Sequence, residues 1–453
     1  MAITPVAAAD AAVFSEEHER TLSKVLWCVV PFLFVSYVIA YLDRVNVGVA
    51  GLMMNRDLGL SASEFGWSAG LFFFGYFLAE IPSNLILQKV GARRWIARIL
   101  ITWGLLSAGT AFVTGPVSFG IMRFLLGLGE AGFTPGVFLY FTLWFPSHYR
   151  GKATAAFLLG IPIANIIGNP ISSSLLSLDG FAGLAGWQWL LIIEGLPATL
   201  LGFACLFLLI DTPEKAPWLS PEEKTWLTGV LAAERRDIEQ HHSSTLLGAL
   251  TNWRVLTCAA INFCAIVGSV GIGLWMPQIV KGLGFGVVQV GFIVAIPYIC
   301  GAVAMMIWAR LSDRAAERTW FVASALLFGA AALLVSAFAT GSAAISIIAL
   351  AGAVTGIMCY QSTFWPVPSS FLTGQAAAGG IALIVSIGNL GGFVGPYLIG
   401  AIRQATESFA GALLAVAGFL LLGAILIRFV GIAMQRERAA WPISAPTTAQ
   451  GET

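Results

Sequence analysis

Twelve apolar runs, at roughly 25–50, 65–87, 95–114, 117–141, 152–177, 187–210, 254–279, 286–308, 319–340, 343–367, 377–402 and 408–432, constrain this chain more than any other feature. Each is near or above the ~17–25 residues that carry a helix across a hydrocarbon core of about 30 Å. A membrane strand needs only about 9–11 residues and alternates in polarity, so the runs read as helices. Prolines and glycines inside them are no objection, because neighbouring helices satisfy the backbone groups they release. Charge is confined to short clusters between the runs: 10% of the chain is charged, against about 25% in a soluble domain. The expected fold class is an all-α integral membrane protein.

The loops orient it. With the amino terminus inside, Arg20, Lys24, Lys89, Arg93, Arg94, Arg98, Arg150, Lys152, Arg310, Arg314, Arg318, Arg428, Arg436 and Arg438 all fall on the inner side. Only Arg56, Lys281 and Arg403 fall outside, a strong positive-inside asymmetry that makes both termini cytoplasmic. The polar stretch Asp211–Arg254, with Pro213, Pro217 and Pro221, divides the runs six and six and reads as a flexible linker with room for a short surface helix. The expected organisation is a tail 1–24, a six-helix bundle 25–210, a cytoplasmic linker 211–253, a second bundle 254–432 and a tail 433–453. Glu16, Glu17, Glu19 and Arg20 occur near the start without an apolar core and cleavage site, which suits a cytoplasmic tail rather than a signal peptide.

The halves read as diverged copies. Gln88 and Asp313 are separated by nearly the same length of chain as Pro170 and Pro396, and both prolines follow glycine-rich stretches. Parallel halves with a cavity between them allow alternating access by rocking.

Composition excludes several classes. A net charge of +1 without a long basic stretch gives no sign of a nucleic-acid partner. The six cysteines lie in apolar segments and form no CxxC, so they read as small buried hydrophobes without disulfides. His18, His148, His241 and His242 lack metal-ligand spacing, and no nucleophile–base set lies in the runs, so neither metal, cofactor nor enzymatic activity is expected.

Ionisable groups inside the runs are therefore the functional candidates. Asp43 and Arg44 interrupt run one, and as neighbours about 100° apart on a helix they serve different surroundings. Arg123 and Glu130 lie nearly two turns apart on one face of run four, with Gly127 leaving volume between them. Local ion-pair or helix-packing roles are the alternative for each pair. Glu80 and Glu194 could titrate or equally accept hydrogen bonds from a neighbouring helix. A fixed guanidinium in an apolar cavity predicts an anionic substrate, because arginine offers a carboxylate two parallel hydrogen bonds. Tyr76, Ser362, Trp365 and Asn389 could complete the pocket, each with packing as an equal alternative. Arg93, Arg94, Asp313 and Arg314 are loop residues suited to holding helix ends together in one state of a gate.

Three stretches carry a family resemblance: Tyr41-Leu42-Asp43-Arg44-Val45-Asn46; Arg123 to Gly132 with Pro135-Gly136; and Gly388-Asn389-Leu390-Gly391-Gly392-Phe393-Val394-Gly395-Pro396. With them the chain resembles the major facilitator superfamily, and within it the anion:cation symporter family, over all but the tails and linker. The resemblance implies twelve transmembrane helices as two six-helix bundles with a central cavity. It also implies proton-coupled symport of a small organic carboxylate across the bacterial inner membrane by a monomer. Asp43 and Glu130 match the proton-coupling pair, Arg44 the substrate contact, Arg123 its tuning partner, and Tyr76 and Asn389 pocket positions. The superfamily's loop signature has Asn84 and Gln88 in place of its usual Gly and Asp in the first copy and keeps Asp313-Arg314 in the second. The antiporter glycine-proline signature is reduced to Gly168-Asn169-Pro170, which favours symport. Ile161 and Pro162 stand where hexonate members use a glutamine, so an aromatic or short dicarboxylic acid is as plausible a substrate as a sugar acid. Exchange or sodium coupling, a channel, and a receptor or scaffold on a transporter fold are the alternative functions.

Overall fold

All twelve runs are helical. A computed structural model describes residues 16–241, 252–315, 317–339, 342–372 and 374–440. His242, the linker positions 242–251 and the tail segments 1–15 and 441–453 lie outside the described residues. The first-half spans are Glu16–Asp57, Ala62–Val90, Ala92–Phe112, Pro116–Trp144, Ser147–Leu178 and Gly186–Leu208. Those of the second half are Trp253–Gly282, Val287–Asp313, Arg318–Phe338, Ala343–Ser369, Gly379–Thr406 and Ala410–Arg436. Span one begins earlier than its apolar run, because Glu16, Glu17 and Glu19 occupy its first turn, where carboxylates favour a helix start.

The chain forms two compact units. One contains the six amino-terminal spans together with residues 271–299 and 396–408; the other contains the rest of the second half. In the first unit, spans three and six pack through glycine. A Cβ at Gly195 would collide with the Ala108 backbone and the Ser107 side chain, and one at Gly202 with Ile101. Spans two and four approach in the same way, Gly127 lying against the Phe72 carbonyl. Without water to drive helices together in lipid, this close backbone approach supplies much of the association energy. Also in this unit, Gly48 of span one lies against Leu274, and Gly66 of span two against Pro396. In the second unit, Gly356 lies against Ala325 and Gly329, and Asn262 ties two elements by donating to the Ile384 carbonyl and accepting from the Tyr360 hydroxyl.

The linker departs from the flexible reading. Pro221–His241 is a helix, started by a capping box in which Ser220 and Glu223 exchange hydrogen bonds of 2.7 and 3.1 Å, with proline at its first position. It is held to the first bundle by Lys24 on Glu223 at 2.9 Å, by His18 stacked on Trp226, and by Glu234 accepting from Ser147 and Arg150. Burial works against the charged Glu223 carboxylate, but the bonds from Lys24 and Ser220 outweigh it and hold its pKa below the ordinary glutamate value. The sequence Ser220-Pro221-Glu222-Glu223 carries the signal for this helix.

Candidate functional site

A break in span four builds the site. The helix stops at Glu130, and Gly132 takes a left-handed φ of 88° before the helix resumes at Phe133. The Ala131 carbonyl released by the break accepts from the Ser83 hydroxyl at 2.7 Å, and Ser83 in turn accepts from the Trp95 indole at 2.9 Å. A Cβ at Gly132 would collide with the Ser83 side chain, so the position requires glycine on both counts. Gly132→Ala is expected to lose about 1–3 kcal/mol of stability, read as a lowered Tm in detergent. Gly129→Ala is the control, since the nearest atom to its Cβ would be the terminal Cδ1 of Leu106 at 3.1 Å, with Thr102 and Trp103 at an ordinary 3.8 Å.

The break leaves Glu130 at a helix C-terminus, where the macrodipole disfavours a carboxylate. Arg44 compensates. Its Nε donates to Glu130 Oε1 at 2.8 Å and its Nη2 to the same oxygen, while Glu130 Oε2 has no partner. The Glu130 side chain is 1% exposed and that of Arg44 20%, so the pair is buried with its guanidinium end partly accessible. Tyr41, Phe72 and Tyr76 surround that guanidinium, their ring centroids 4.9, 5.6 and 5.5 Å from Cζ. The aromatic faces offset part of the desolvation of the cation.

Asp43 turns the other way, as neighbours on a helix must. It is buried and accepts from Trp103 Nε1 at 2.6 Å, Ser107 Oγ at 2.8 Å and Asn46 Nδ2 at 3.1 Å. Trp103 and Ser107 are one turn apart on span three and reach the carboxylate together.

Arg123 shares one unbroken helix with Glu130 but does not bond to it. Its guanidinium lies over Phe72 at 4.9 Å, with Nε unpartnered among the described residues. Its charge reaches Glu130 only through space. Tyr76 joins Arg44 and Glu130. Ser362, Trp365 and Asn389 belong to the second unit, where the Ser362 hydroxyl donates to the Cys359 carbonyl within its own helix. Trp365 is 37% exposed at the break in span ten before Pro366, and Asn389 is half-buried on span eleven.

Among the loop residues, Asp211 was missed. Its Oδ1 accepts the Arg93 backbone N–H at 3.0 Å, beside Gly91 in a left-handed conformation. Asp313 pairs with Arg318 at 3.2 Å rather than with its neighbour Arg314, while Arg94 is exposed. The larger omissions are Tyr41, Phe72, Asn46, Trp103 and Ser107. Only the one-turn spacings Tyr41–Arg44 and Asp43–Asn46 could have pointed to any of them.

A twelve-span helical protein that places a guanidinium–carboxylate pair inside one bundle has the build of a membrane carrier. Comparison with known proteins gives the family: the model of the Major Facilitator Superfamily matches residues 33–396 and 258–445. The chain belongs to that superfamily. It is 50% identical over 419 residues, 92% of each chain, to an Agrobacterium vitis protein named "Putative tartrate transporter". It is 41% identical over 94% of its length, and 97% of the relative's, to a quinolone resistance transporter of Acinetobacter baumannii. The fold matches a bacterial homologue of the human lysosomal transporter Spinster, solved inward-facing and occupied, with a TM-score of 0.75 and 16% identity over 95% of this chain and all of that one. The protein is thus a multi-pass bacterial membrane transporter of an organic substrate, not an enzyme.

Proposed function

We propose that the protein is a proton-coupled symporter that takes a small organic carboxylate across the inner membrane as a monomer, with both termini in the cytoplasm. The observation that carries this reading is the single guanidinium of Arg44 held by Glu130 through one oxygen inside an aromatic cage. A substrate carboxylate that takes Arg44 displaces Glu130. A carboxylate left buried without its counter-charge is neutralised by a proton, because an isolated charge there costs several kcal/mol or more. Anion and proton therefore enter together.

Asp43 supplies the second coupling acid, and Arg123 biases Glu130 from a distance. Tyr76, Ser362, Trp365 and Asn389 shape the pocket, while Arg93, Arg94, Asp313 and Arg314 act at the cytoplasmic ends of the spans. The relatives named as putative tartrate transporters support the substrate class, since tartrate carries carboxylates. The test is uptake into proteoliposomes under an inward proton gradient, screening tartrate-like and aromatic carboxylates. Accumulation that collapses with a protonophore is expected; accumulation that follows a sodium gradient instead would replace the proton with sodium.

A further inference from the structure

Glu194 of span six is buried at 6% exposure and stands outside the scheme so far. Its Oε1 accepts from the Ser172 hydroxyl of span five at 2.7 Å, and its Oε2 has no partner. Asn46 of span one lies beside it, near enough to interact with its carboxylate, although no hydrogen bond joins the two in the structure. The same amide gives its Nδ2 to Asp43, while its Oδ1 has no partner. Two buried carboxylates thus flank one side-chain amide, and the two unsatisfied atoms, Glu194 Oε2 and Asn46 Oδ1, are both acceptors when Glu194 is ionised.

Satisfying both takes a single hydrogen. A proton on Glu194 Oε2 donates to Asn46 Oδ1, and Asn46 Nδ2 continues to donate to Asp43. If the proton sits on Asp43 instead, the amide turns over: Nδ2 donates to Glu194, and Oδ1 accepts from the Asp43 carboxyl. With neither acid protonated, the amide oxygen faces a carboxylate in a buried site, and an unsatisfied group there costs about 1–3 kcal/mol beyond the repulsion of like charges. The groups facing Glu194 are Asp43 and Asn46 from span one and Ser172 from span five. Of these, Asp43 alone carries charge.

We propose that Glu194 is a further proton-binding residue of the transport cycle, sharing one proton with Asp43 across the amide of Asn46. This rests on the proton-coupled reading above. Glu194 holds the proton while Asp43 is ionised and gives it up as Asp43 becomes neutral, so the pair keeps one proton and the amide orientation follows its owner. No bond other than the O–H changes hands.

A purely structural Glu194 would tolerate glutamine, which keeps the shape and can still bond Ser172. The shared proton would not, since glutamine at 194 can neither take nor give it. Infrared difference spectra of purified protein titrated around neutral pH provide a readout independent of transport. Wild type is expected to show a protonated-carboxyl carbonyl band that Glu194→Gln removes and Asp43→Asn shifts. In proteoliposomes Glu194→Gln should retain substrate exchange but lose tenfold or more of its proton-driven accumulation. Should Glu194→Gln fail to fold, Asn46→Leu, which removes the amide and keeps both acids, should split the wild-type band into two independent titrations. An unchanged infrared titration in Glu194→Gln, or wild-type accumulation by that variant, would overturn the proposal while leaving symport standing. Failure of the wild type itself to accumulate substrate under a proton gradient would remove symport, and the infrared titration would then decide the shared proton alone.

Discussion

Arg44→Ala is expected to bind the cognate carboxylate about a hundredfold more weakly or worse, and to lose stability as well. The affinity loss follows from two charge-assisted hydrogen bonds worth about 1.5–3 kcal/mol each, at 1.4 kcal/mol per factor of ten. The stability loss comes from Glu130, whose only hydrogen-bond donor among the described residues is Arg44. Removing one partner of a buried pair costs about 3–5 kcal/mol, because the other charge is stranded. Arg44→Ala combined with Glu130→Gln should therefore regain most of the Tm without regaining binding, which separates recognition from folding. Arg44→Lys should rescue poorly, since an ammonium keeps the charge but neither the fork nor the planar face stacked among Tyr41, Phe72 and Tyr76. Scintillation proximity binding and thermal unfolding in detergent report the two effects. Near-normal binding by the alanine variant would remove Arg44 from the site.

Glu130→Gln and Asp43→Asn should both abolish accumulation driven by a pH gradient, yet they should differ in binding. Glutamine at 130 releases Arg44 without needing a proton, so anion affinity should rise at alkaline pH and lose its dependence on pH. Wild-type affinity should instead weaken as pH rises, because the competing carboxylate is then charged and holds the guanidinium. Asparagine at 43 leaves Arg44 and Glu130 in place but turns an amide NH2 toward Trp103, Ser107 and Asn46, which all donate to the native oxygens. That variant should keep pH-dependent binding and substrate exchange while losing net uptake. Exchange never requires the emptied carrier to return, and only the return step needs Asp43 to change its charge. Retention of wild-type accumulation by both variants would mean that neither acid carries the coupling.

The spans were legible because lipid imposes one rule on every stretch: twenty or so apolar residues, hydrogen-bonded internally. The positions of Asp43, Arg44 and Glu130 were legible for the converse reason, since charge in such a stretch stands out. Their partners were not. Glycine at 132 marks a possible break, but only the fold shows that span four turns there, just after Glu130, and that the acid meets Arg44 of span one. Trp103, Ser107 and Phe72 are ordinary residues for a membrane helix, and their roles arise from which helix each one meets. Glu194 was ambiguous in the sequence for the same cause: a carboxylate beside Ser172 alone is a packing bond, and only the fold shows that Asn46 and Asp43 lie near it as well. The linker's surface helix was allowed for but not placed, although Ser220-Pro221-Glu222-Glu223 spells out its capped start in local sequence alone.

In the proposed cycle, competition between substrate and Glu130 for Arg44 makes binding itself take up a proton, before any transport occurs. Calorimetric titration of the purified protein with its cognate carboxylate near neutral pH, repeated in buffers of different ionisation enthalpy, counts that proton directly. Uptake approaching one proton per anion in the wild type, falling to none in Glu130→Gln, is the predicted result. Anion binding with no proton uptake, or with the same uptake in Glu130→Gln, would contradict it.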